Sequence, residues 1–364
     1  MKITNANIVN FRNILKADIS LSGGLSIFCG ENGQGKTNTV EAILLALTGR
    51  SHRENVVKNF INENSQAARV KVRALTDDGT SHEVGLMLSE GKTHLIDNSS
   101  VKKRGELLEH FPVIFFGPDD LRIVKDSPAE RRKFLNDAIS VAAPVYDSIL
   151  SEYTKVLRQR NSLLKSYSPS DIYMLEVYDE ALVKYASSII ASRIKYLREF
   201  SDIFTALYAD ISEGREEVSL GYVSDVLTED VKSSEDIKTA YAKMLADARG
   251  ADIAAASTTK GVHHDDVSVY MNGRSARKFS SQGQQRTTAL CMKLASAQML
   301  YQKRSKRALI LLDDVMSELD DRRKESILST LGEYQIAVTC VKPDFDYNKH
   351  TTALFNVEKG CISQ

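Results

Sequence analysis

Short runs of hydrophobic residues near both ends of the chain predict buried β-strands. Near the start, the runs at Ile8–Val9 and Leu25–Phe28 are separated by Gly23-Gly24. Near the end, ALILLDD from Ala308 and QIAVTC from Gln335 are mostly apolar. Strands that are buried on both faces have this composition, so the last two runs are expected in the centre of a sheet.

The segment 69–97 alternates between hydrophobic and polar positions, as a strand with one buried face does. Its three parts, VKVRAL, EVGLML and THLID, are divided at Asp78-Gly79 and Glu90-Gly91. The alternation and the glycine-containing breaks predict an antiparallel meander. A further hairpin is predicted where the strand pattern of 267–271 ends at Asn272-Gly273.

The middle of the chain changes to a helical pattern. Ser127-Pro128-Ala129-Glu130 fits a capping box with proline at the first helical position. Pro144 interrupts that helix, and Ser168-Pro169-Ser170 separates two longer helical patterns. The second pattern has hydrophobic residues spaced three and four apart, at Leu175, Tyr178, Leu182, Tyr185 and Ile189. A short two-helix arm and ordinary core helices both fit this spacing. The more polar segment 214–256 is expected to contain loops and short helices.

The composition, 42% hydrophobic and 26% charged, is typical of a soluble globular protein. No apolar run approaches the ~20 residues of a membrane span, and the start MKITNANIVNFRN lacks the apolar core of a secretory signal. The scattered cysteines form no Cys-x-x-Cys pair, which favours a reducing cytoplasm over a zinc or disulfide framework. Lys+Arg and Asp+Glu balance at 48 each, so DNA binding would need a local basic patch.

A phosphate-binding motif follows the predicted strand at Leu25–Phe28. The segment Gly30-Glu31-Asn32-Gly33-Gln34-Gly35-Lys36-Thr37 fits G-x-x-x-x-G-K-[ST], and a helical pattern begins at Asn38. The glycines let backbone N–H groups turn toward phosphates. Lys36 is expected to bridge the β- and γ-phosphates, and the Thr37 hydroxyl to bind Mg²⁺. The loop from Gly30 to Asn38 is therefore predicted to bind ATP.

The apolar run that starts at Ala308 ends in two carboxylates, which is the Walker B pattern. A buried parallel strand delivers its last residues to the carboxyl edge of the sheet, where phosphates bind. Asp313 is expected to hold Mg²⁺, directly or through water. Asp314 is expected to orient or deprotonate the attacking water.

A third element indicates the subclass of P-loop protein. FSSQGQQR, from Phe279, precedes an apolar helix and resembles the signature motif of ABC-type ATPases, with Ser281, Gly283 and Gln284 in the matching positions. A helix N-terminus at this point forms an anion site, which in that class faces the γ-phosphate held by a second subunit. Ser317-Glu318-Leu319-Asp320 matches the D-loop, which crosses the dimer interface, and Asp320 is assigned to the same trans site.

Segments distributed in order over the whole chain carry a more specific resemblance. They are NFRN at Asn10–Asn13, GENGQGKTN, FFGPDDLRIVKDSPAERRKFLN at Phe115–Asn136, VLRQRNSLLK at Val156–Lys165, GVHHDD at Gly261–Asp266, FSSQGQQRT and LLDDVMSELD. This set resembles the RecF family of bacterial recombination and replication-repair ATPases, which are related to SMC heads. The fold class expected is an α/β ABC/SMC-type ATPase head, a mixed β-sheet with flanking helices formed by 1–116 and 260–364. An inserted, mainly helical lobe with a short arm is expected at 117–259.

The resemblance implies a cytoplasmic protein that dimerises on ATP, hydrolyses it slowly and binds DNA near single-strand/double-strand junctions. It also implies that RecR and RecO are partners in loading recombinase onto gapped DNA, in recombinational repair, fork restart and the SOS response. Arg12 matches a family position near the phosphates, although a surface arginine after a strand is the alternative. Basic residues that either contact DNA or form a solvated helix face are Arg131, Arg132, Lys133, Lys155, Arg158, Arg160 and Lys165.

Three positions depart from the patterns of related ATPases. Thr339 ends the strand after Walker B, where ABC transporters have a histidine nearby, and FFGPDDL offers Asp119 and Asp120 instead of a Q-loop glutamine. The remaining Mg²⁺ ligand therefore stays open. The cluster His263–Asp266 suggests either a metal site or a polar turn before a strand. Adjacent residues of a strand point to opposite faces, which favours the turn.

Two other functions were weighed against DNA repair. A transporter nucleotide-binding subunit should have the switch histidine and a shorter distance from P-loop to signature. A structural SMC-like tether should have long coiled-coil arms or a Cys-x-x-Cys hook, and this sequence has neither.

Overall fold

The computed structural model describes residues 1–77, 79–227, 233–347 and 351–364, without the side chains of Leu121 and Glu318. The strands in these ranges are Lys2–Phe11 (β1), Ile14–Ser20 (β2), Leu25–Cys29 (β3), Ala68–Leu75 (β4), Ser81–Leu88 (β5), Lys92–Ile96 (β6), Ser99–Ser100 (β7), Val113–Phe116 (β8), Val218–Val223 (β9), Asp266–Met271 (β10), Arg274–Ser275 (β11), Leu309–Asp313 (β12), Gln335–Cys340 (β13), Thr352–Glu358 (β14) and Cys361–Ser363 (β15). The helices are Lys36–Thr48 (α1), Arg104–His110 (α2), Arg122–Lys125 (α3), Pro128–Ala142 (α4), Val145–Leu164 (α5), Ile172–Ser212 (α6), Ser234–Ala255 (α7), Ala276–Phe279 (α8), Gln282–Arg304 (α9) and Asp321–Thr330 (α10).

The chain divides into two compact units. The first comprises Met1–Asp120 and Met292–Gln364, and the second comprises Leu121–Cys291. The second boundary falls within α9, so the signature segment belongs to the second unit, whereas the P-loop and Walker B belong to the first. In the described ranges, no helix combines the length and the apolar composition that crossing a bilayer requires.

Two six-stranded sheets form the first unit. One has the order β2-β1-β4-β5-β6-β7, and the other has the order β15-β14-β3-β13-β12-β8. In the second sheet, β14, β3, β13, β12 and β8 run parallel, as buried strands do in α/β proteins. The meander β4-β5-β6 and the central position of β12 and β13 are confirmed. The predicted break at Asp78 lies outside the described residues.

Helix α1 fills the core of the first unit. Its residues Val40 and Ala42–Leu47 belong to one hydrophobic cluster with Ile8 and Val70 of the first sheet and with Leu311 of the second. A helix that is apolar on nearly every side must be covered on every side. The packing of α1 against both sheets fixes the position of its first residue. The P-loop, which leads directly into α1, is positioned by the same packing.

The second unit is mainly helical and contains the sheet β11-β10-β9. Helices α5 and α6 pack against each other, and α7 packs against α6. The hairpin of β10 and β11 is confirmed. Two predictions are wrong. Ser127 is the residue before α4, but its side chain makes no capping hydrogen bond. The segment 214–256 contains strand β9 and the 22-residue helix α7 instead of short helices, because α7 buries an apolar stripe that its polar composition obscures.

A buried ion network holds the helices of the second unit together. Arg160 of α5 is fully buried and donates to Asp179 of α6 and Asp252 of α7, each at 2.7 Å. Arg131 is also buried and pairs with Asp266, with the Nε–Oδ1 distance at 2.7 Å. Their helical spacing alone would place these two arginines on a solvated helix face. Because both are buried in ion pairs, they cannot contact DNA.

The GVHHDD segment is a turn that leads into β10, as predicted. Tyr153 bonds His263 at 2.7 Å from its hydroxyl to Nδ1, and burial lowers the pKa of His263 to about 4. Asp265 accepts from Arg193 at 2.8 Å, and Asp266 accepts from Arg131. Each carboxylate thus has an arginine partner, which gives the segment a structural role in the second unit.

Candidate nucleotide site

The P-loop connects β3 to α1 in a conformation that requires glycine. Gly30 has φ 153°, and a Cβ there would lie 2.2 Å from the Val357 carbonyl oxygen of β14. Gly35 has φ 117°, and a Cβ there would lie 2.9 Å from Asn13 Oδ1. The loop is therefore confined by its neighbours on both sides.

Gln34 ties the P-loop to the C-terminal hairpin. Its side-chain oxygen accepts from the Lys359 N–H at 2.7 Å, and its carbonyl accepts from the Gly360 N–H at 2.8 Å. The same carbonyl accepts from Asn13 Nδ2 at 3.1 Å. Gln34 was predicted as a residue of the ATP loop, and these contacts add a positioning role through its backbone and its side chain.

Lys36 is the first residue of α1 and is buried. Its ammonium donates to the carbonyl oxygens of Gly30 at 2.5 Å and Glu31 at 2.8 Å. An ammonium has three donors and favours anionic acceptors over neutral carbonyls. A phosphate in the loop would therefore compete for the same group.

The Walker B carboxylate lies next to the Thr37 hydroxyl. Asp313 ends β12 and is 3% exposed. Its Oδ1 accepts from Thr37 Oγ1 at 2.9 Å and from Thr339 Oγ1 at 2.7 Å. A hydroxyl and a carboxylate that converge at the start of a helix are the ligand types that Mg²⁺ uses in nucleotide sites. The residues present fit this ion.

Asp314 follows in the left-handed region with φ 53°, a conformation that asparagine and aspartate tolerate better than most residues. Its N–H donates to Thr339 Oγ1 at 2.9 Å. Ser317 Oγ donates to its side chain at 3.2 Å. The half-buried carboxylate is thus held at the carboxyl edge of the sheet, beside Asp313.

Thr339 is a positioning residue that the sequence analysis noted only as a departure. It is fully buried and is paired in register with Asp313 on the neighbouring parallel strand. One hydroxyl donates to Asp313 and accepts from Asp314, so it orients both Walker B residues. The available sequence signal was a hydroxyl at the end of the strand that follows Walker B.

Replacing Thr339 with valine should slow ATP hydrolysis and lower the free energy of unfolding by about 1–3 kcal/mol, since two buried polar groups lose a partner. The measurement is urea unfolding together with steady-state ATP hydrolysis. Thr339→Ser, which keeps the hydroxyl, should restore most of both. Equal hydrolysis by the valine and serine variants would contradict the positioning role.

Arg12 lies on the turn between β1 and β2 and forms an ion pair with Glu41 of α1, so it is not a free surface arginine. Its Nε donates to Glu41 of α1 at 2.5 Å, and Arg53 donates to the same carboxylate at 2.8 Å. Burial alone would raise the pKa of Glu41, but the hydrogen bonds from Arg53, Arg12 and Ser51 lower it below the usual range. Glu41 is therefore a buried carboxylate that orients two arginines.

A cleft of about 810 Å³ lies beside these arginines in the first unit. Its lining includes Arg12, Asn13, Asn38, Arg53 and Asn59. Asn38 donates to Asn13 Oδ1 at 2.7 Å and accepts from Arg53 at 2.5 Å. The cleft thus has cationic and amide groups next to the helix that follows the P-loop, together with the carboxylates of Glu54 and Glu63. Glu41 and Arg53 were missed, because no motif or spacing distinguishes them from surface charges.

The signature segment begins α9 with a reciprocal cap. The Ser281 N–H donates to Gln284 Oε1 at 2.7 Å, and the Gln284 N–H donates to Ser281 Oγ at 3.3 Å. Gln284 Nε2 also donates to Glu216 at 2.6 Å, and Tyr208 of α6 donates to the other Glu216 oxygen at 2.6 Å. Gly283 is in the first turn of α9. Asp320 is exposed and caps α10 through the Arg323 N–H at 3.0 Å.

The carboxylates of the FFGPDDL segment differ in their surroundings. Asp120 accepts from the Gly117 N–H at 2.9 Å and pairs with Lys293 at 2.8 Å. Asp119 is exposed. The further Mg²⁺ ligand stays open, as it did in the sequence.

Known proteins resemble this chain over its whole length. The family model described as RecF/RecN/SMC N terminal domain matches residues 2–363. The chain is 37% identical over 368 residues to the DNA replication and repair protein RecF of Clostridium acetobutylicum, covering 100% of both. It is 35% identical over 366 residues to the protein of the same name from Clostridium tetani, again covering 100% of both.

Solved structures give the same assignment of the fold. The recombination mediator protein RecF-ATP in the RecFOR pathway matches with a TM-score of 0.91 at 31% identity, covering 100% of this chain and 97% of that one. An Smc head bound to the C-winged helix domain of ScpA matches with a TM-score of 0.57 at 15% identity, covering 100% of this chain and 96% of that one. At that identity the Smc head shares the fold alone.

Proposed function

The chain belongs to the RecF family, and on that premise we propose that it is an ATP-dependent DNA-binding protein of recombinational repair and replication-fork restart. It dimerises on ATP, hydrolyses it slowly and helps to load recombinase at gapped DNA. The observation that carries the proposal is the 2.9 Å contact between Thr37 of the P-loop and Asp313 of Walker B. The contact brings together two motifs that are distant in sequence, which supports a single nucleotide site.

ATP binds with its phosphates in the P-loop, where Lys36 exchanges the carbonyls of Gly30 and Glu31 for phosphate oxygens. Thr37 and Asp313 would hold Mg²⁺, which would neutralise charge on the phosphates. The nucleoside would lie toward the cleft that Arg12 and Asn38 line, where Glu41 already orients the Arg12 guanidinium. Preformed charges of this kind favour binding because little ordering is needed.

Hydrolysis depends on Asp314, which orients or deprotonates the attacking water. Thr339 and Ser317 hold this residue in its left-handed conformation. In the ABC-type class that the signature segment resembles, the signature motif of a second subunit faces the γ-phosphate. We assign that role to Ser281, Gly283, Gln284 and Asp320 of a second copy. An exposed helix N-terminus is suited to it, because its N–H groups and dipole favour an anion.

Closure of two copies around ATP would form a surface for DNA near single-strand/double-strand junctions. The net charge is zero, so the DNA contacts must come from local groups of cations. Lys133, Lys155, Arg158 and Lys165 of the basic set are exposed and remain candidates. RecR and RecO are the proposed partners, and the cytoplasm is the proposed location.

The proposal is tested by the mass of the protein in solution without nucleotide, with ADP and with ATP plus Mg²⁺, each with and without gapped duplex DNA. We expect dimers with ATP only, and tighter DNA binding under that same condition. Fully duplex DNA of the same length is the control for junction preference. A monomer throughout would remove the trans role of the signature, and DNA binding that ignores nucleotide would contradict the coupling.

A further inference from the structure

Two cysteines meet at the base of the P-loop. Cys29 is the last residue of β3 and directly precedes Gly30, and Cys340 is the last residue of β13 and directly follows Thr339. The two residues are partners in register on neighbouring parallel strands. Their sulfur atoms are 3.6 Å apart. The two cysteines are 311 positions apart in the sequence, so no local motif relates them.

The positions permit a disulfide with small movement. Neighbouring strands lie about 4.7–4.9 Å apart, within the Cα–Cα range of about 4.4–6.8 Å that disulfides span. The sulfurs would have to approach to about 2.05 Å. Side-chain rotation and a small shift of the strand ends supply this change.

The two thiols differ in reactivity. The hydrogen bond with Cys340 lowers the pKa of Cys29, and the nearby Lys36 ammonium also favours its thiolate. The hydrogen bond with Cys29, together with burial, raises the pKa of Cys340. Cys29 is partly exposed, whereas Cys340 is 2% exposed. An accessible thiolate with a buried thiol next to it is the arrangement of an attacking and a resolving cysteine.

We propose that Cys29 and Cys340 form a peroxide-sensitive dithiol whose oxidation to a disulfide closes the nucleotide site. The Cys29 thiolate attacks one oxygen of hydrogen peroxide, the O–O bond breaks, and a sulfenic acid forms with hydroxide, which takes up the proton that Cys29 released. The Cys340 thiol attacks the sulfenic sulfur, the S–O bond breaks, and water leaves. Two thiols are oxidised and one peroxide is reduced to two waters.

The disulfide acts on the nucleotide site because the ends of β3 and β13 cannot move without displacing residues of that site. Gly30 is confined by Val357, and Thr339 holds Asp313 and Asp314. Drawing Cys29 and Cys340 together therefore shifts the entry of the P-loop or the Walker B carboxylates. This inference rests on the proposed function of the P-loop as an ATP site.

The test compares reduced and hydrogen peroxide-treated protein in two measurements. Peptide mapping without reductant should find Cys29 linked to Cys340. Titration with a fluorescent ATP analogue and Mg²⁺ should show affinity weakened by about tenfold or more, and dithiothreitol should restore it. Cys361→Ser, which removes an exposed cysteine elsewhere, should respond like the natural protein. Cys29→Ser should keep its own untreated affinity after peroxide, and Cys340→Ser should form the Cys29 sulfenic acid without the disulfide.

Each outcome bears on a distinct claim. Absence of the Cys29–Cys340 link overturns the dithiol, and a linked protein that binds ATP as well as the reduced one overturns the regulation. Peroxide sensitivity that persists in both serine variants assigns the effect to another residue and also overturns the inference. Reduced protein that fails to bind ATP contradicts the proposed function itself, and with it the regulation.

Discussion

Lys36→Met should weaken ATP binding by about two orders of magnitude and abolish ATP-induced dimers. The ammonium supplies charge-assisted hydrogen bonds to phosphate, each contributing about 1.5–3 kcal/mol, and methionine supplies none. Methionine keeps the length of the buried stem, so α1 should still pack between the two sheets. The measurement is titration with a fluorescent ATP analogue, followed by mass in solution with ATP plus Mg²⁺.

Lys16→Met is the matched control for this variant. Lys16 is exposed on β2, and the substitution makes the same chemical change away from the P-loop. It should bind ATP and dimerise like the natural protein. Dimers that form equally with and without nucleotide in Lys36→Met would contradict ATP-gated closure.

Asp314→Asn should reduce ATP hydrolysis by about two to four orders of magnitude while ATP binding persists. The amide cannot accept a proton from the attacking water. Asparagine tolerates the left-handed conformation at φ 53° as well as aspartate does, so the backbone should stay in place. Because the bound ATP is not consumed, the variant should accumulate as dimers. Single-turnover hydrolysis and mass in solution measure the two effects.

Asp321→Asn provides the matched control for the second variant. Asp321 is the exposed first residue of α10, seven positions farther along the chain. Its hydrolysis rate should be close to that of the natural protein. An Asp314→Asn protein that hydrolyses ATP at the natural rate would show that another group activates the water.

The meander and the buried strands were predictable because their evidence is local in the sequence, whereas the fold class was expected from the family resemblance. Alternation over 69–97 predicts the meander, and the apolar runs before Asp313 and at Gln335 predict the buried parallel strands. The expected ABC/SMC-type fold is confirmed by the solved RecF and Smc head structures. The two wrong predictions also rested on local sequence patterns. Ser127 does not cap α4, and the polar composition of 234–255 concealed a long helix, because tertiary packing outweighs weak local preference.

For the candidate site too, the sequence could select residues that belong to contiguous motifs. The P-loop and Walker B are contiguous motifs, so Lys36, Thr37, Asp313 and Asp314 could be selected from the sequence. Their roles remain predictions, as do those of Arg12, Ser281, Gly283, Gln284 and Asp320. Arg160 shows the limit of spacing arguments, because helical periodicity cannot tell a solvated arginine from one that pairs with Asp179 and Asp252 in the core.

The sequence by itself determined the motifs, the order of the elements and the family resemblance, since these depend on neighbouring residues and on known patterns. Only the tertiary structure decided that Thr339 holds Asp313, that Glu41 orients Arg12, and that Cys29 meets Cys340. For Thr339 and the two cysteines the physical reason is the strand order β3-β13-β12, in which strands far apart in the chain become neighbours. Glu41 meets Arg12 because α1 packs against β1. Periodicity shows which face of a strand is buried, but the packing of whole sheets against α1 determines which residues of different strands come into register.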